Sequence, residues 1–347
     1  MTLYVTVPEP NIWAYDATVK PRADVGYFLN KNMDNVKLFS LPMFTSESWT
    51  KLKMDALLAK CSLLLTKQDQ VLFQLPMYTK SYLQQALIDL CKQRGVKCIG
   101  LVHDIDCLRG LVSNPLDEFT MLNQMDMVTL PSMRLFKLLN HQSILGKTPL
   151  TAPVVIQDYP WDYKMEPHHD PRVRTQTSLG LVYAGNLSGN KASFLRGLQV
   201  PLAVYGRTDS ATQFSQRCVY MGTVNPKDSL SVISNYTVGL VWDGDFQNNE
   251  ELGYHSYEKY NWSHKFSLYL ASGLPVIVPE GTQVGDFVKE HHLGITLDSL
   301  DGLGEAYQLT DWHQFDKDIK VIQDKLLVGY SITHTIKLAQ ALLKYHN

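Results

Sequence analysis

The stretch Tyr257–Val278, YEKYNWSHKFSLYLASGLPVIV, carries the residues best suited to hold a nucleotide diphosphate. Asn261 or Ser263 can cap a helix that begins over Trp262–Lys265. The open N–H groups of that first turn, with Lys265 beside them, would attract an anion. The following strand ends at Pro279, and Glu280, Gly281, Thr282 and Gln283 then open another helix. A glutamate there can accept hydrogen bonds from sugar or ribose hydroxyls. The same letters also describe an ordinary helix with a surface lysine and a Gly-Pro turn. Spacing alone leaves both readings open.

Two earlier loops have related chemistry. Tyr183–Lys191, YAGNLSGNK, follows a strand and sets Gly185, Asn186 and a second glycine before Lys191, a composition that lets backbone approach a phosphate. Tyr205-Gly206-Arg207 offers an aromatic side chain to a nucleobase at a strand end. Neither loop is a G-x-G-x-x-G or a Walker A sequence, so the dinucleotide and P-loop readings fail. Taken alone, an ordinary left-handed turn glycine is the better account of each loop.

The segment LVHDIDCLR, residues 101–109, ends a strand with one imidazole, two carboxylates and a guanidinium. A general base has to reach an acceptor hydroxyl, and His103, Asp104 and Asp106 are the candidates. Asp104 is placed first, because a carboxylate also favours positive charge developing at a sugar C1. Arg109 is either their ion-pair partner or a substrate contact, and the competing account is a structural Asp–Arg pair. The D-x-D triplets Asp104–Asp106 and Asp243–Asp245 could hold a divalent cation, but such triplets arise by chance in a chain of this size. His168-His169 has no partner at metal-site spacing and reads as a solvated loop. No metal site is expected.

The chain has 347 residues, 45% hydrophobic and 19% charged, which is enough apolar material for two cores. A net charge of −2 excludes the basic stripe of a nucleic-acid binder. The five cysteines are scattered without a C-x-x-C pair, so they read as small core residues in a reducing compartment. The start MTLYVTVP lacks a signal-peptide pattern, and no apolar run reaches the ~20 residues of a spanning helix. A cytoplasmic protein is expected.

Positioning these residues requires strands alternating with helices. Strands are expected at Leu3–Val7, Val36–Phe39, Val71–Leu75, Val96–His103 and Val128–Leu130. Helices are expected over Asp24–Asn32, Lys80–Arg94, stopped by Gly95, and Leu116–Met125. Residues 157–177, with their prolines and paired histidines, break the pattern and read as a linker. Alternation restarts with strands at Leu179–Ala184, Leu202–Tyr205, Val219–Met221, Val238–Trp242 and Pro275–Val278. Helices are expected near Lys227–Ser234, over Ser263–Ala271, and near Trp312–Leu327 and Ile332–His346. Nearly continuous apolar strands imply parallel sheets covered on both faces. Two doubly wound Rossmann-like domains facing a cleft follow, with ligands outside the carboxyl ends of the strands. The expected boundaries are 1–155 and 156–330. Residues 331–347 return to the first domain, because the stripe Ile332, Ile336, Ala339, Leu342 and Leu343 needs cover.

Taken together, FQLPMY near position 75, GLVHDIDCLRG, LVYAGNLS, GLVWDGD, YNWSHKFSLYLASGLPVIVPEGT and GITLDSLDGL resemble one family over nearly the whole chain. The chain is similar to the bacterial GT-B glycosyltransferases that include the second glucosyltransferase of serine-rich-repeat adhesin glycosylation and the beta-1,6-galactofuranosyltransferases. The resemblance implies a UDP-sugar donor held mainly by the second domain, no required metal or other cofactor, and a homo-oligomer. It implies that Lys265 neutralises the diphosphate, Asn261 shapes the same pocket, Tyr205 sits by the uracil, and the Gly185–Lys191 loop faces the phosphates. The family's first loop is glycine-rich. Its counterpart here, Tyr15–Arg22, has no glycine, and places Lys20 and Arg22, with Arg109, toward the acceptor. The implied reaction moves a hexose, glucose first, to a glycan or glycoprotein hydroxyl. Galactofuranosyl transfer and a non-catalytic nucleotide-sugar-binding scaffold are the alternatives. A sugar-nucleotide epimerase is disfavoured, since no Tyr-x-x-x-Lys pair stands in a suitable place.

Overall fold

Strands whose residues are apolar on both faces must be covered on both faces, and Gln70–Leu75, buried along its whole length, sets that pattern. The computed structural model describes residues 1–9, 18–42, 50–111, 117–140, 148–166, 180–244 and 254–345. These divide into two compact units, Met1–Trp13 with Arg22–Asp158 and Ile332–Asn347, and Ala14–Pro21 with Tyr159–Ser331.

In the first unit the order is β1 (Leu3–Pro8), α1 (Val19–Asn32), β2 (Val36–Leu41), α2 (Lys51–Leu64), β3 (Gln70–Leu75), α3 (Ser81–Arg94), β4 (Lys97–Val102), a 3-10 turn (Asp106–Arg109), α4 (Glu118–Leu122), β5 (Met127–Leu130), α5 (Met133–Leu139) and β6 (Val154–Ile156). The parallel sheet runs β2-β1-β3-β4-β5-β6, so the winding reverses between β1 and β3. Gly95 ends α3 in the left-handed conformation at φ 66°, as its position predicts. The last helix, α12 (Tyr330–Tyr345), buries Ile332, Ile336, Ala339 and Leu343. It is tied to this unit by Asn32 Nδ2 donating to Thr333 Oγ1 at 3.0 Å and Gln340 Nε2 donating to Gln70 Oε1 at 2.7 Å.

The second unit runs β7 (Leu181–Ala184), a 3-10 run (Gly189–Arg196), β8 (Leu202–Tyr205), β9 (Cys218–Gly222), α6 (Ser229–Ile233), β10 (Val238–Leu240), α7 (Tyr254–Glu258), α8 (His264–Ala271), β11 (Val276–Pro279), α9 (Gln283–His291), β12 (Gly294–Leu297), α10 (Leu303–Leu309) and α11 (Asp316–Val328). Its parallel sheet is ordered β12-β11-β10-β7-β8-β9, with the reversal between β7 and β10. A Cβ on Gly239 would lie 2.3 Å from the Tyr269 ring, so glycine lets α8 lie directly on β10. Trp242, Trp262, Tyr183, Tyr269 and Phe266 are fully buried in this unit, and burying a Phe side chain such as Phe266 is worth about 1.5–3 kcal/mol of transfer free energy.

One expectation changes here, and one helix appears where none was expected. Residues 157–177 do not all form a solvated linker: Trp161 and Tyr163 are buried in the second unit. Trp161 Nε1 donates to the Trp262 carbonyl at 3.1 Å, and the Tyr163 hydroxyl pairs with Ser229 Oγ at 2.7 Å. Tertiary partners hold what local composition describes as loop. Helix α2 escapes periodicity because Leu52, Leu63 and Leu64 stay exposed while Met54 and Cys61 are buried. Asp245, His168, His169 and Tyr15–Ala17 lie outside the described residues.

Candidate functional site

A reversal of strand order leaves a crevice at the carboxyl ends of two adjacent strands, since their following loops diverge to opposite faces. In the second unit those strands are β7 and β10, and both loops bring charge to that point. Asp243, just after β10, is 6% exposed. Lys265, in the first turn of α8, is 7% exposed, and its Nζ lies 2.7 Å from Asp243 Oδ1 and donates to the Trp242 carbonyl at 3.3 Å. Lys191, in the 3-10 run after β7, approaches the other oxygen, Asp243 Oδ2, at 3.5 Å. The Tyr183 hydroxyl, on β7, donates to Asp243 Oδ1 at 3.1 Å. Glu258, from α7, is also buried, with Oε1 4.0 Å from Lys265 Nζ.

The electrostatics follow from burial and pairing. Burial works to raise the Asp243 carboxyl, but the charges of Lys191 and Lys265 and hydrogen bonds from Lys265 and Tyr183 hold it below the usual carboxylate range. Burial lowers the Lys265 ammonium, against the pull of Asp243 and Glu258. Two ammonium groups thus have Asp243 as their nearest carboxylate, with Glu258 farther from Lys265, and a pair of cations suits a phosphate ligand.

Backbone around this cluster is built for close approach. Gly206 has φ 150°, and a Cβ there would fall 1.8 Å from the Gly185 carbonyl oxygen. The loops after β7 and β8 therefore pass each other only because Gly206 is glycine. Gly185 N–H donates to the Tyr205 carbonyl at 3.0 Å and Leu187 N–H to the Arg207 carbonyl at 3.0 Å. Asn186 Oδ1 accepts from Ser188 N–H at 3.1 Å and Ser188 Oγ at 2.6 Å, so it shapes this loop. The Tyr205 and Tyr236 hydroxyls are 2.9 Å apart.

The helix-start expectations sort themselves by geometry. Ser263 occupies the cap position of α8 without a side-chain capping bond, while Asn261 Oδ1 accepts from Trp262 N–H at 2.8 Å. Lys265 is not the surface lysine of the simpler reading, because Asp243 draws it inward. Thr282 uses its hydroxyl to cap α9, accepting from Gly285 N–H at 2.9 Å and donating to the Pro279 carbonyl at 2.8 Å. Gly281 turns at φ 71°, and Gln283 N–H donates to the Lys259 carbonyl at 3.2 Å. Glu280, expected to bind hydroxyls, is exposed and paired with Lys289. Sequence reasoning overlooked Glu258; its place seven residues before Lys265 carries no recognisable spacing signal.

In the first unit the segment after β4 forms a second cluster. Strand β4 ends at Val102; His103 N–H still donates to the Leu75 carbonyl of β3 at 2.8 Å, and the chain departs from the sheet at Asp104. His103 is 1% exposed, with Nε2 2.8 Å from Gln74 Oε1. An amide oxygen only accepts, so that nitrogen carries the proton. Asp106, also 1% exposed, accepts from the Tyr78 hydroxyl at 3.1 Å and Arg109 at 3.1 Å. Burial and these bonds give His103 and Asp106 structural partners within the cluster. Asp104, 3.2 Å from the Arg109 guanidinium, keeps 18% side-chain exposure. Glu118 receives the N–H groups of Asp106 and Cys107, each at 2.9 Å, and fixes the turn. Arg22 is buried, donates to the Pro76 carbonyl at 3.1 Å and lies 5.0 Å from the Tyr78 ring centre. Lys20 falls in the other unit, over the Tyr163 ring at 3.9 Å and donating to the Lys164 carbonyl at 3.3 Å. The acceptor trio Lys20, Arg22 and Arg109 is therefore not one site within either unit.

Among the described residues no group of three or more His, Cys, Asp and Glu side chains could hold a metal ion. No helix among them is long and apolar enough to cross a membrane.

Comparisons with known proteins agree with this architecture. The family "Glucosyltransferase 3-like, N-terminal domain" matches residues 2–157, and "Glucosyltransferase 3-like, C-terminal domain" matches residues 181–339. Beta-1,6-galactofuranosyltransferase WbbI of Escherichia coli K12 is 24% identical over 322 residues, 90% of this chain and 91% of its own. Glucosyltransferase 3 of Streptococcus gordonii is 27% identical over 238 residues, 67% of this chain and 66% of its own. An alpha-glucosyltransferase solved with UDP and a 13-mer DNA superposes with a TM-score of 0.60 at 11% identity, covering 99% of both chains, which speaks for the fold alone. With both family halves matched in order and two doubly wound parallel sheets to carry them, the chain belongs to the glucosyltransferase 3-like family of GT-B glycosyltransferases.

Proposed function

We propose that this chain moves glucose from UDP-glucose to a hydroxyl of a glycan or glycoprotein acceptor, as in the glycosylation of serine-rich-repeat adhesins. The observation that carries the reading is the Lys265–Asp243–Lys191 cluster at the β7/β10 crevice, with Lys265 and Asp243 buried. The acceptor oxygen bonds to sugar C1 while the bond from C1 to the diphosphate oxygen breaks, and UDP leaves with the electron pair. Lys265, Lys191 and the N–H groups opening α8 stabilise the charge gathering on that diphosphate without a metal. Uracil is assigned to Tyr205. Gly185, Asn186 and Gly206 shape the phosphate loop, and Asn261 the entrance to α8. The segment Glu280, Gly281, Thr282 and Gln283 is assigned to the outer wall of the donor pocket. Asp104 is the base that accepts the acceptor's proton, with Arg109 holding it.

Galactofuranose is the second donor to test, because the Escherichia coli relative covers 90% of this chain. The cytoplasm is the proposed compartment, in keeping with five scattered cysteines that include no C-x-x-C pair. Self-association is proposed from exposed apolar side chains such as Leu52, Leu63, Val219 and Leu309, and light scattering would test it.

A panel of UDP-sugars tests the donor assignment by thermal shift and by UDP release in the presence of glycosylated peptide. A donor at ~100 times its dissociation constant stabilises by about 2.7 kcal/mol. UDP-glucose should give both shift and turnover. A shift without turnover on any acceptor would favour a nucleotide-sugar-binding scaffold, and no shift with any UDP-sugar would overturn the proposal.

A further inference from the structure

Glu258, the last residue of α7, has no role in the reading above, yet it is only 8% exposed beside the two cations. Neither of its carboxylate oxygens has a hydrogen-bond partner among the described residues. Its Oε1 stands 4.0 Å from Lys265 Nζ, whereas Asp243 takes the same ammonium at 2.7 Å and Lys191 at 3.5 Å. Both cations are thus matched first to Asp243. A second ionised carboxylate here would be buried, without hydrogen bonds, and next to a like charge, the combination that most favours the neutral acid.

We propose that Glu258 serves the donor site as a neutral carboxylic acid whose O–H donates to an oxygen of the diphosphate that Lys265 and Lys191 attract. This rests on the donor-site reading and adds to it a third donor, of a kind the sequence hides. A neutral acid leaves the positive charge of Lys265 available to the ligand, whereas an ionised one would neutralise it and repel a dianion. Its bond strengthens as the departing diphosphate gains charge, since hydrogen bonds to ionised acceptors are the stronger ones. Buried carboxylic acids kept neutral at ordinary pH can act as hydrogen-bond donors in this way.

The titratable groups facing Glu258 are Asp243 after β10, Lys265 on α8, Lys191 in the 3-10 run and Tyr183 on β7. Burial and the Asp243 charge push its carboxyl well above the carboxylate range, while the charges of Lys265 and Lys191 work against the rise. The charge of Glu258 therefore appears only as pH climbs, and donor affinity should fall with it.

The experiment is UDP-glucose binding by calorimetry from neutral to alkaline pH, on the full chain and on Glu258→Gln. The amide keeps the shape and a donor N–H but cannot ionise. Glu258→Gln should bind within about threefold of wild type at neutral pH. Wild type should lose about tenfold in affinity per pH unit above the Glu258 pKa. The variant should lack that part of the loss, while the titrations of uracil and of the Lys265 ammonium, which burial lowers, remain in both proteins. Parallel pH profiles would overturn the proposal, as would a large loss of affinity in Glu258→Gln at neutral pH, which would show that the carboxylate is needed as an acceptor. If wild type binds no UDP-glucose at any pH, the donor-site reading falls and this inference with it. Should the variant unfold, the infrared spectrum of wild type decides. A protonated carboxyl C=O band at neutral pH that moves on adding UDP-glucose supports the neutral acid, and its absence overturns it.

Discussion

Lys265 Nζ and Asp243 Oδ1 form a 2.7 Å ion pair between two buried side chains from α8 and the end of β10. The lysine is thereby both a structural cation and the group assigned to the leaving diphosphate, and substitutions should separate the two roles. Lys265→Ala strands Asp243 as a buried anion, so we expect a loss of about 3–5 kcal/mol in stability and of about 10²–10³ in transfer. Lys265→Met with Asp243→Asn should regain most of the stability, by urea denaturation, and none of the activity. Recovery of transfer in the double variant would remove Lys265 from the diphosphate.

The same pair gives a pH dependence whose sign is fixed. Asp243 is held below its unfolded value of about 3.9, so it contributes stability above that pH. The contribution is lost as pH falls through the depressed folded value. Urea midpoints followed downward from neutral pH should drop more steeply for wild type than for the Lys265→Met/Asp243→Asn protein. Equal slopes would contradict the depression.

Gly206→Ala should damage both folding and donor binding. The residue sits at φ 150°, and a Cβ there would lie 1.8 Å from the Gly185 carbonyl oxygen. Backbone strain alone is worth about 1–3 kcal/mol, and the clash forces the phosphate loop to move. Unchanged thermal stability and UDP-glucose affinity would refute the close crossing of these loops.

Asp104 and Asp106 should respond in opposite ways. Asp104→Asn removes the partly exposed carboxylate while keeping its shape, and transfer should fall by at least ~10² with UDP affinity unchanged. Asp106→Asn acts on a residue 1% exposed, held by Tyr78 and Arg109, so it should lower the unfolding midpoint more than Asp104→Asn does. A stable, inactive Asp106→Asn protein would instead make Asp106 the base.

Transfer should persist in excess EDTA, because the leaving-group charge is assigned to Lys265, Lys191 and the start of α8. Loss of activity in chelator, restored by Mg²⁺ or Mn²⁺, would make Asp243 a metal ligand together with Asp245.

The sequence by itself determined the class and many of the elements, though not α2. The run VLFQL, the period of Leu83, Leu87 and Cys91, and the stop at Gly95 are local signals, and β3 and α3 form where those signals lie. Alternation of such units left only parallel, doubly wound sheets, and the α8 start marked Lys265 as a residue of interest. What the chain order could not show was which side chains converge. Asp243 meets Lys265 and Lys191 because strand order places β7 beside β10, a crossover with no trace in spacing. The inward turn of Lys265, the capture of Glu280 by Lys289 at the surface, and the burial of Asp106 but not Asp104 were settled the same way. Each depends on the partners that tertiary packing supplies, since a charge enters the interior only where an opposite charge or a donor waits for it. Glu258 is buried with no hydrogen-bond partner among the described residues, and only the folded chain exposes that exception.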